Sequence, residues 1–322
     1  MKHSFFHLLL ILLFIGLLQS CANDAKKSTT AQNDKLEENK TDLTFRDVDG
    51  IRFFEVKRRF SNGLSFNKNG FQHEPTWIIE VKAPDTMLAY SPEKQAMEAF
   101  YLQFDHGRVY NFAREFFRAK AITKDSIVLQ RLQVDGKIIA GDDDIRSDVY
   151  CTFYSKNYIE KTLKTTIGEL QKPTKADTSF IKSLAIKTFK APDNPDLAFA
   201  ARQPVVFLPN SKNVSVEKIS TVDETNKRHS SVDYLYPLYK LKINKSYKNF
   251  NYSFSIIVDA WGKMHVNRVD GVMRDDYPPR KRLLQGITDV YLQNLFIIKP
   301  GTTLGIPHSS EVNLILIGKT SP

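Results

Sequence analysis

Histidine, cysteine and carboxylate side chains are the residues of this chain best suited to chemistry, and their spacing matches no common catalytic or metal site. Five histidines follow residue 21, and no two of them lie four positions apart, which excludes the helical zinc motif His-x-x-x-His. Gly-x-Ser-x-Gly, phosphate-binding loop and Gly-x-Gly-x-x-Gly motifs do not occur either. We therefore predict no catalytic residue, no metal and no cofactor, and we do not expect an enzyme.

Two acidic clusters have the composition of a calcium loop but not its spacing. An EF-hand places a glutamate at the twelfth position after its first aspartate. In the run Asp142-Asp143-Asp144 that position is Phe153, and for Asp47-Val48-Asp49-Gly50 it is Arg58. Both clusters are therefore predicted to be turn and loop residues.

The chain has two cysteines in very different surroundings. Cys151 lies within the aromatic, strand-like run from residue 149 to 154, where a buried cysteine acts as a small apolar side chain. Cys21 instead follows Leu18-Gln19-Ser20. The residues before it are a short positive start with Lys2 and a run over residues 5–18 that is apolar except for His7. An export signal typically has a positive start, an apolar stretch too short to span a membrane, and small residues before its cleavage site.

Leu18, Ser20 and Cys21 resemble the lipobox of bacterial lipoproteins. The resemblance implies a signal peptide over residues 1–20, a diacylglycerol thioether on Cys21 and membrane attachment through that lipid. Residues 21–42 carry one large apolar side chain, Leu36, so we predict a flexible tether over residues 21–43. Ala22 follows the cysteine where retention in the inner membrane would call for Asp, which favours the outer membrane of the cell envelope.

The rest of the chain is predicted to be α+β, with mostly antiparallel sheet packed with helices in two domains. The first domain covers residues 44–168, a connector covers 169–200, and the second domain covers 201–319. Apolar spacing predicts the following elements in the first two segments: strands at 51–60, 76–82, 96–104 and 149–154, a hairpin turning at Asp135-Gly136, and helices at 109–120, 156–167 and 178–189.

The second domain alternates apolar and polar residues at 239–243, 251–258 and 263–269. A helix over 280–295 and a strand over 311–318 follow. With Gly262 in the first turn and Lys299-Pro300-Gly301 after the helix, this order resembles the C-terminal domain of TonB-family proteins. The resemblance implies a strand-strand-helix-strand unit that binds protein segments at a sheet edge. The edge would be residues 312–317, with Val312, Leu314 and Leu316 contacting the partner.

The formal charge of +10 suits an anionic neighbour such as lipid headgroups or cell-wall polymer, and export argues against a nucleic-acid partner. The densest basic clusters are Lys57-Arg58-Arg59 and Arg280-Lys281-Arg282. Three hypotheses follow: an envelope lipoprotein that binds a protein partner, a binding module for lipid, glycan or cell-wall polymer, and an enzyme with an unfamiliar site. A deep apolar or aromatic-lined pocket would favour the second. The sequence leaves the oligomeric state open.

Overall fold

Short strands joined by tight turns dominate the computed structural model, which describes residues 43–136, 138–141, 145–220 and 230–320. The predicted leader, Cys21 and the run Asp142-Asp143-Asp144 lie outside the described residues. Residues Phe45–Pro322 belong to one compact unit. Its sheets are mostly antiparallel and accompanied by a few helices, which confirms the α+β class. Among the described residues, no helix is both long enough and apolar enough to cross a membrane.

The first part of the unit is a nine-stranded antiparallel sheet in the order β4-β3-β2-β1-β11-β8-β7-β6-β5, with a separate small hairpin of β9 and β10. The strands are β1 (Arg52–Arg59), β2 (Ile78–Lys82), β3 (Thr86–Ser91), β4 (Ala96–Tyr101), β5 (Gln103–His106), β6 (Val109–Phe112), β7 (Glu115–Ile122), β8 (Ser126–Leu132), β9 (Val134–Asp135), β10 (Ile138–Ile139) and β11 (Val149–Ser155). Short 3-10 helices occupy Phe45–Val48 and Ile145–Ser147.

Two meanders make up this sheet, and β11 joins them. Strands β1 to β4 pair with their sequence neighbours, as do β5 to β8, while β11 lies between β1 and β8. The edge strands β4 and β5 are separated in the chain only by Leu102, which is buried. The sheet must therefore curl until its two edges approach each other, with apolar side chains such as Phe53, Ile127 and Phe153 filling the inside.

The helix predicted over residues 109–120 is wrong, because this segment forms the hairpin of β6 and β7. Phe112 pairs with Glu115, and the two residues between them, Ala113 and Arg114, have φ values of 50° and 65°. Two successive residues at positive φ form the turn type that matches the twist of a two-residue hairpin. The helix-like spacing arose because two strands with different inward-facing residues were read as one element.

The other predictions for this part are largely confirmed. The strands at 51–60, 76–82 and 149–154 are present, and the segment 96–104 is divided into β4 and β5 by Leu102. The hairpin near Asp135 exists, but only as β9 and β10, because β8 pairs with β7 and β11 instead. The helix predicted at 156–167 is reduced to a π-helical turn at Tyr158–Thr162, since Lys164 takes a φ of 51° and ends it.

Two helices follow, α1 (Ile167–Gln171) and α2 (Lys175–Lys190), and the second confirms the helix predicted at 178–189. Thr174 and Asp177 form a capping box at the start of α2. Asp177 also accepts hydrogen bonds from Arg59 at 2.9 Å and from the backbone N–H of Ser65 at 2.7 Å. The start of α2 is thereby fixed to the end of β1 and the loop after it.

The second part is a five-stranded mixed sheet in the order β13-β14-β20-β15-β16. Helix α4 covers one face of it, and the small pairs β12–β17 and β18–β19 flank it. The elements are β12 (Val206–Pro209), β13 (Val214–Ile219), α3 (Val232–Leu235), β14 (Leu238–Asn244), β15 (Phe250–Val258), β16 (Met264–Val269), α4 (Tyr277–Ile287), a π-helical turn (Thr288–Leu292), α5 (Gln293–Leu295), β17 (Phe296–Lys299), β18 (Thr302–Thr303), β19 (Ile306–Pro307) and β20 (Ser310–Lys319).

The strands predicted at 239–243, 251–258, 263–269 and 311–318 are all present, and the predicted helix at 280–295 starts earlier, at Tyr277. Pro278 and Pro279 occupy its first turn, where a missing backbone N–H costs nothing. The expectation that residues 312–317 form a sheet edge is wrong. Strand β20 is central, paired in parallel with β14 and antiparallel with β15.

Candidate functional site

Helix α4 and the turns after it present two apolar faces, and the sheet covers only one of them. Leu284, Ile287 and Leu292 are buried against the sheet. The side chains of Leu283, Val290 and Tyr291 are apolar as well, yet they are 43, 61 and 49% exposed. The π-helical turn at Thr288–Leu292 accommodates an extra residue, which widens the apolar surface beyond a single helical stripe.

The exposed face of this helical segment forms one wall of a cleft of about 760 Å³, which we name the α4 cleft. The opposite wall comes from the end of β14, the turn after it, the start of β15 and the residues leading into β13. The lining side chains are mostly apolar or aromatic, and they include Val214, Ile243, Tyr247, Phe250, Leu283, Ile287, Val290, Tyr291 and Leu295.

Backbone hydrogen bonds hold the wall opposite the helix. Asn244 N–H donates to Asn213 O at 2.7 Å, and Ser246 N–H donates to Lys319 O at 2.9 Å. Lys245, between these two anchored residues, has a φ of 59° and lines the cleft. A turn fixed on both sides keeps its shape when the cleft is empty, so a ligand would find this wall already formed.

A row of aromatic rings begins at this wall and follows β15. The rings of Tyr247 and Phe250 are 6.5 Å apart, and those of Phe250 and Tyr252 are 5.3 Å apart and nearly parallel. Gly318, the partner of Phe250 in β20, makes room for the ring, since a Cβ there would lie 2.3 Å from it. The guanidinium of Arg280 covers the ring of Tyr252 at 5.3 Å, a favourable cation–π distance.

The cleft has cationic groups at its walls. Arg282 from α4 and Lys245 from the opposite turn both line it. In the portion of the chain that the structure describes, neither side chain forms an ion pair. Two cations without a protein counter-ion beside an apolar wall favour a ligand that brings its own negative charge.

Gly286 lies on the cleft side of α4 between Arg282 and Val290. A Cβ built at this position meets no atom within 4 Å, so the helix carries a gap in its side-chain cover that opens into the cleft. Glycine weakens a helix interior relative to alanine. The open space at Gly286 therefore lets a ligand approach the helix backbone.

The sequence-predicted contact residues Val312, Leu314 and Leu316 do not lie in this cleft. Each is completely buried in the core between the sheet and α4. The nearly continuous apolar run from residue 312 to 317 should have indicated a strand inside the sheet, because an exposed edge strand usually carries polar or charged residues. The basic cluster at 280–282 was identified from the sequence, but the exposure of the apolar residues that follow it on the helix was not predicted.

Titratable groups with shifted pKa values lie away from the cleft. Cys151 is buried, as predicted, and burial raises the pKa of its thiol. Burial also lowers the pKa of His73 and of His308 to about 4. Among the described residues, no group of three or more His, Cys, Asp or Glu side chains is arranged to hold a metal ion.

Comparison of the chain with protein-family models, with curated proteins and with solved structures gives no match.

Proposed function

We propose that this chain is a lipid-anchored protein of the cell envelope that binds an amphiphilic ligand in the α4 cleft. The ligand would have an apolar chain and an acidic group. The observation that carries the proposal is the cleft itself, an apolar and aromatic concavity with Arg282 and Lys245 at its walls. Its volume lies within the range of roughly 300–1,000 Å³ that is typical of small-molecule sites.

The two chemical features of the lining act on different parts of such a ligand. Leu283, Val290 and Tyr291 are exposed in the empty cleft, and covering them with an apolar chain removes their surface from water at about 25 cal/mol per Å². The Arg282 guanidinium can donate two parallel hydrogen bonds to an acidic group, whereas the Lys245 ammonium acts as a point charge. A neutral apolar molecule would use only the first of these features.

The proposed anchor fits this activity, because a protein held at a membrane surface meets amphiphiles where they are concentrated. We propose that Cys21 carries the lipid, that residues 21–43 tether the body and that the protein resides in the outer membrane. Replacing Cys21 with Ala should release the protein from membranes into the soluble fraction. Full retention of the Cys21→Ala protein in the membrane fraction would contradict the lipoprotein proposal.

The order of β15, β16, α4 and β20 supports a further proposal, that this part of the chain is a TonB C-terminal-like unit. Such a unit would imply a protein partner added at a sheet edge. Both sides of β20 are already paired, however, and so this strand cannot accept another one. We therefore assign binding to the cleft.

A pair of glycine variants tests the cleft directly. Gly286→Leu places a side chain in the cleft, and Gly168→Leu is the matched control, because it also lies in a helix with open space around its Cβ position. The probe is dodecanoate below its micellar concentration, titrated by calorimetry into the full chain, with dodecyl maltoside as the neutral comparison. We expect saturable dodecanoate binding that Gly286→Leu weakens about tenfold or more, which is about 1.4 kcal/mol.

Three results would overturn the proposal. The first is no dodecanoate binding to the unmodified cleft. The second is equal weakening by Gly168→Leu and Gly286→Leu, which would indicate a site elsewhere. The third is equal affinity for dodecanoate and dodecyl maltoside together with no effect of Arg282→Gln. That result would show that the cleft does not recognise an acidic group on its ligand.

A further inference from the structure

Trp261 is a strongly exposed aromatic side chain beside the second sheet. It lies at the tip of the turn between β15 and β16 and is 69% exposed. Its ring is 5.7 Å from that of Phe189, in the last turn of α2, which is also exposed. Ile186 lies three residues before Phe189 on the same side of that helix and is exposed as well. These three residues form an apolar cluster that we name the Trp261 patch.

The turn that carries Trp261 is held rigidly. The Asp259 carboxylate, itself buried, accepts hydrogen bonds from the backbone N–H groups of Trp261 and Lys263, both at 2.9 Å. Gly262 takes a φ of +84°, and a Cβ there would lie 2.7 Å from the carbonyl oxygen of Ile298. The indole is therefore presented to solvent on a fixed support, so that ordering it on a partner costs little conformational entropy.

Lysines flank this patch on both contributing elements. Lys182 and Lys190 lie four residues before and after Ile186 on α2, and Lys263 follows Trp261 by two residues. Within the described ranges, none of the three forms an ion pair. The acidic residues closest in sequence to the three members of the Trp261 patch are Asp193, Asp196 and Asp259. Of these, Asp259 is buried beneath the turn. The surroundings are therefore positive on balance.

We infer that the Trp261 patch docks on the surface of an anionic lipid bilayer. An exposed indole beside a second ring suits the headgroup region, where tryptophan is enriched because one part of its ring is apolar and its N–H is polar. Each lysine near an anionic surface adds electrostatic attraction, which decays within a Debye length. The charge complementarity selects a bilayer over an apolar protein surface. The inference does not depend on the α4 cleft.

The local environment of Trp261 is the readout, because other segments of the chain also reach a membrane if the anchor is present. The full chain is mixed with vesicles of phosphatidylcholine, with or without phosphatidylglycerol, whose acyl chains are brominated near the glycerol. We expect a blue shift and several-fold stronger quenching of tryptophan emission with phosphatidylglycerol present. Because the chain contains two tryptophans, the Trp261→Phe variant gives the contribution of Trp77, and the quenching should disappear in it.

Two further variants sharpen the test. Joint replacement of Lys182, Lys190 and Lys263 by Gln should reduce the quenching several-fold without changing the circular dichroism spectrum. Tyr101→Ala, an exposed aromatic of the nine-stranded sheet, should leave it unchanged. Unquenched Trp261 in vesicle-bound protein would overturn the inference, as would equal quenching on vesicles without phosphatidylglycerol. Lipid-independent burial of Trp261 that rises with protein concentration would instead assign the patch to a second copy of the chain.

Discussion

The side-chain amide of Gln285 pairs with the backbone of Val266 in the same way as a neighbouring strand would. Its Oε1 accepts from Val266 N–H at 2.7 Å, while its Nε2 donates to the carbonyl oxygen of Met264 at 3.3 Å. Strand β16 is an edge of the five-stranded sheet, and an uncovered edge can pair with another chain. Helix α4 therefore protects this edge with a polar side chain as well as with its apolar face.

We predict that Gln285→Ala lowers the free energy of unfolding by about 2 kcal/mol and promotes self-association. The two hydrogen bonds to β16 contribute about 1 kcal/mol each, and the edge of β16 becomes available for pairing. Chemical denaturation and sedimentation velocity measure the two effects. Gln285→Glu keeps the acceptor for Val266, but it loses the donors to Met264 and Asp289 and places a second carboxylate beside Asp289, so it should be at least as destabilised as the alanine variant. Identical behaviour of all three proteins would show that the amide does not protect the edge.

The carboxylate of Asp177 gives a prediction about acid stability. Burial alone would raise its pKa, but the Arg59 guanidinium and the donors of Ser65 and Thr174 outweigh burial and lower the pKa to about 2 from 3.8. A lowered pKa contributes stability that is complete above pH 3.8 and is lost as the pH falls towards 2. We expect Asp177→Asn to destabilise the protein by about 3 kcal/mol at neutral pH, because it leaves Arg59 without its partner.

The control for this prediction is Asp148→Asn. Asp148 accepts one hydrogen bond, from the backbone of Ser61, in an exposed position, so its replacement should cost less than about 1 kcal/mol. Urea titrations at several pH values measure both variants. The difference between wild type and Asp177→Asn should shrink below pH 4. A difference that stays constant down to pH 2 would contradict the assigned ionisation.

His308 makes the stability of the folded protein depend on pH in a second, higher range. Its ring is fully buried, stacks on Phe199 with 3.6 Å between centroids, and contacts Thr303 Oγ1 through Nε2 at 3.0 Å. Burial lowers its pKa from 6.5 to about 4, so the unfolded chain binds a proton that the folded protein excludes. Stability is therefore complete above pH 6.5 and decreases as the pH falls to 4, by at most about 3 kcal/mol.

We predict that His308→Gln is less stable than the wild type at neutral pH but loses less stability between pH 6.5 and 4. Thermal unfolding followed by calorimetry across this range measures the two slopes. His106→Gln removes a histidine from an exposed site and serves as the control. Parallel stability curves for the wild type and His308→Gln would contradict the prediction. His73, whose pKa is also lowered to about 4 by burial, accounts for the acid sensitivity that remains.

The contact between Gly70 and Ala200 joins the region around the first sheet to the segment leading into the second. Both Gly70 and Gly63 have φ values near +80°, but only at Gly70 would a Cβ collide with another segment, 2.2 Å from the carbonyl oxygen of Ala200. We predict that Gly63→Ala costs about 1 kcal/mol, from the backbone conformation alone. Gly70→Ala should cost several kcal/mol more in a denaturation experiment. Equal costs would show that the close approach relaxes easily.

Much of the fold was predictable wherever one face of an element is buried and the other is exposed. Strands β14 and β15 alternate strictly over part of their length, and α2 has a capping threonine and a helical apolar side. The hairpin of β6 and β7 was missed because Ala113 and Arg114 take positive φ values that are usually found at glycine or asparagine. The residue types at this turn gave no signal of it.

The candidate site was predictable only in part. The sequence identified the basic residues at 280–282 and predicted the helix over 280–295 that contains them, together with its apolar residues. Which of these apolar residues face the core depends on the π-helical turn and on where the sheet ends, and neither can be inferred from periodicity. Tyr247 lies in the connection between β14 and β15 and Phe250 begins β15, and only the pairing of β15 with β20 brings them opposite the helix.

The position of β11 has a consequence for the order in which the chain folds. Each meander of the nine-stranded sheet pairs strands that are close in sequence, so each can form with a small loss of loop entropy. The pairing of β1 with β11, which joins Phe53 to Ser155, spans the longest stretch of chain in that sheet and should form late. Cys151 lies in the middle of β11, and its thiol becomes inaccessible when that strand inserts between the meanders. The rate at which this thiol becomes inaccessible to a thiol reagent during refolding therefore reports the rate at which the sheet closes.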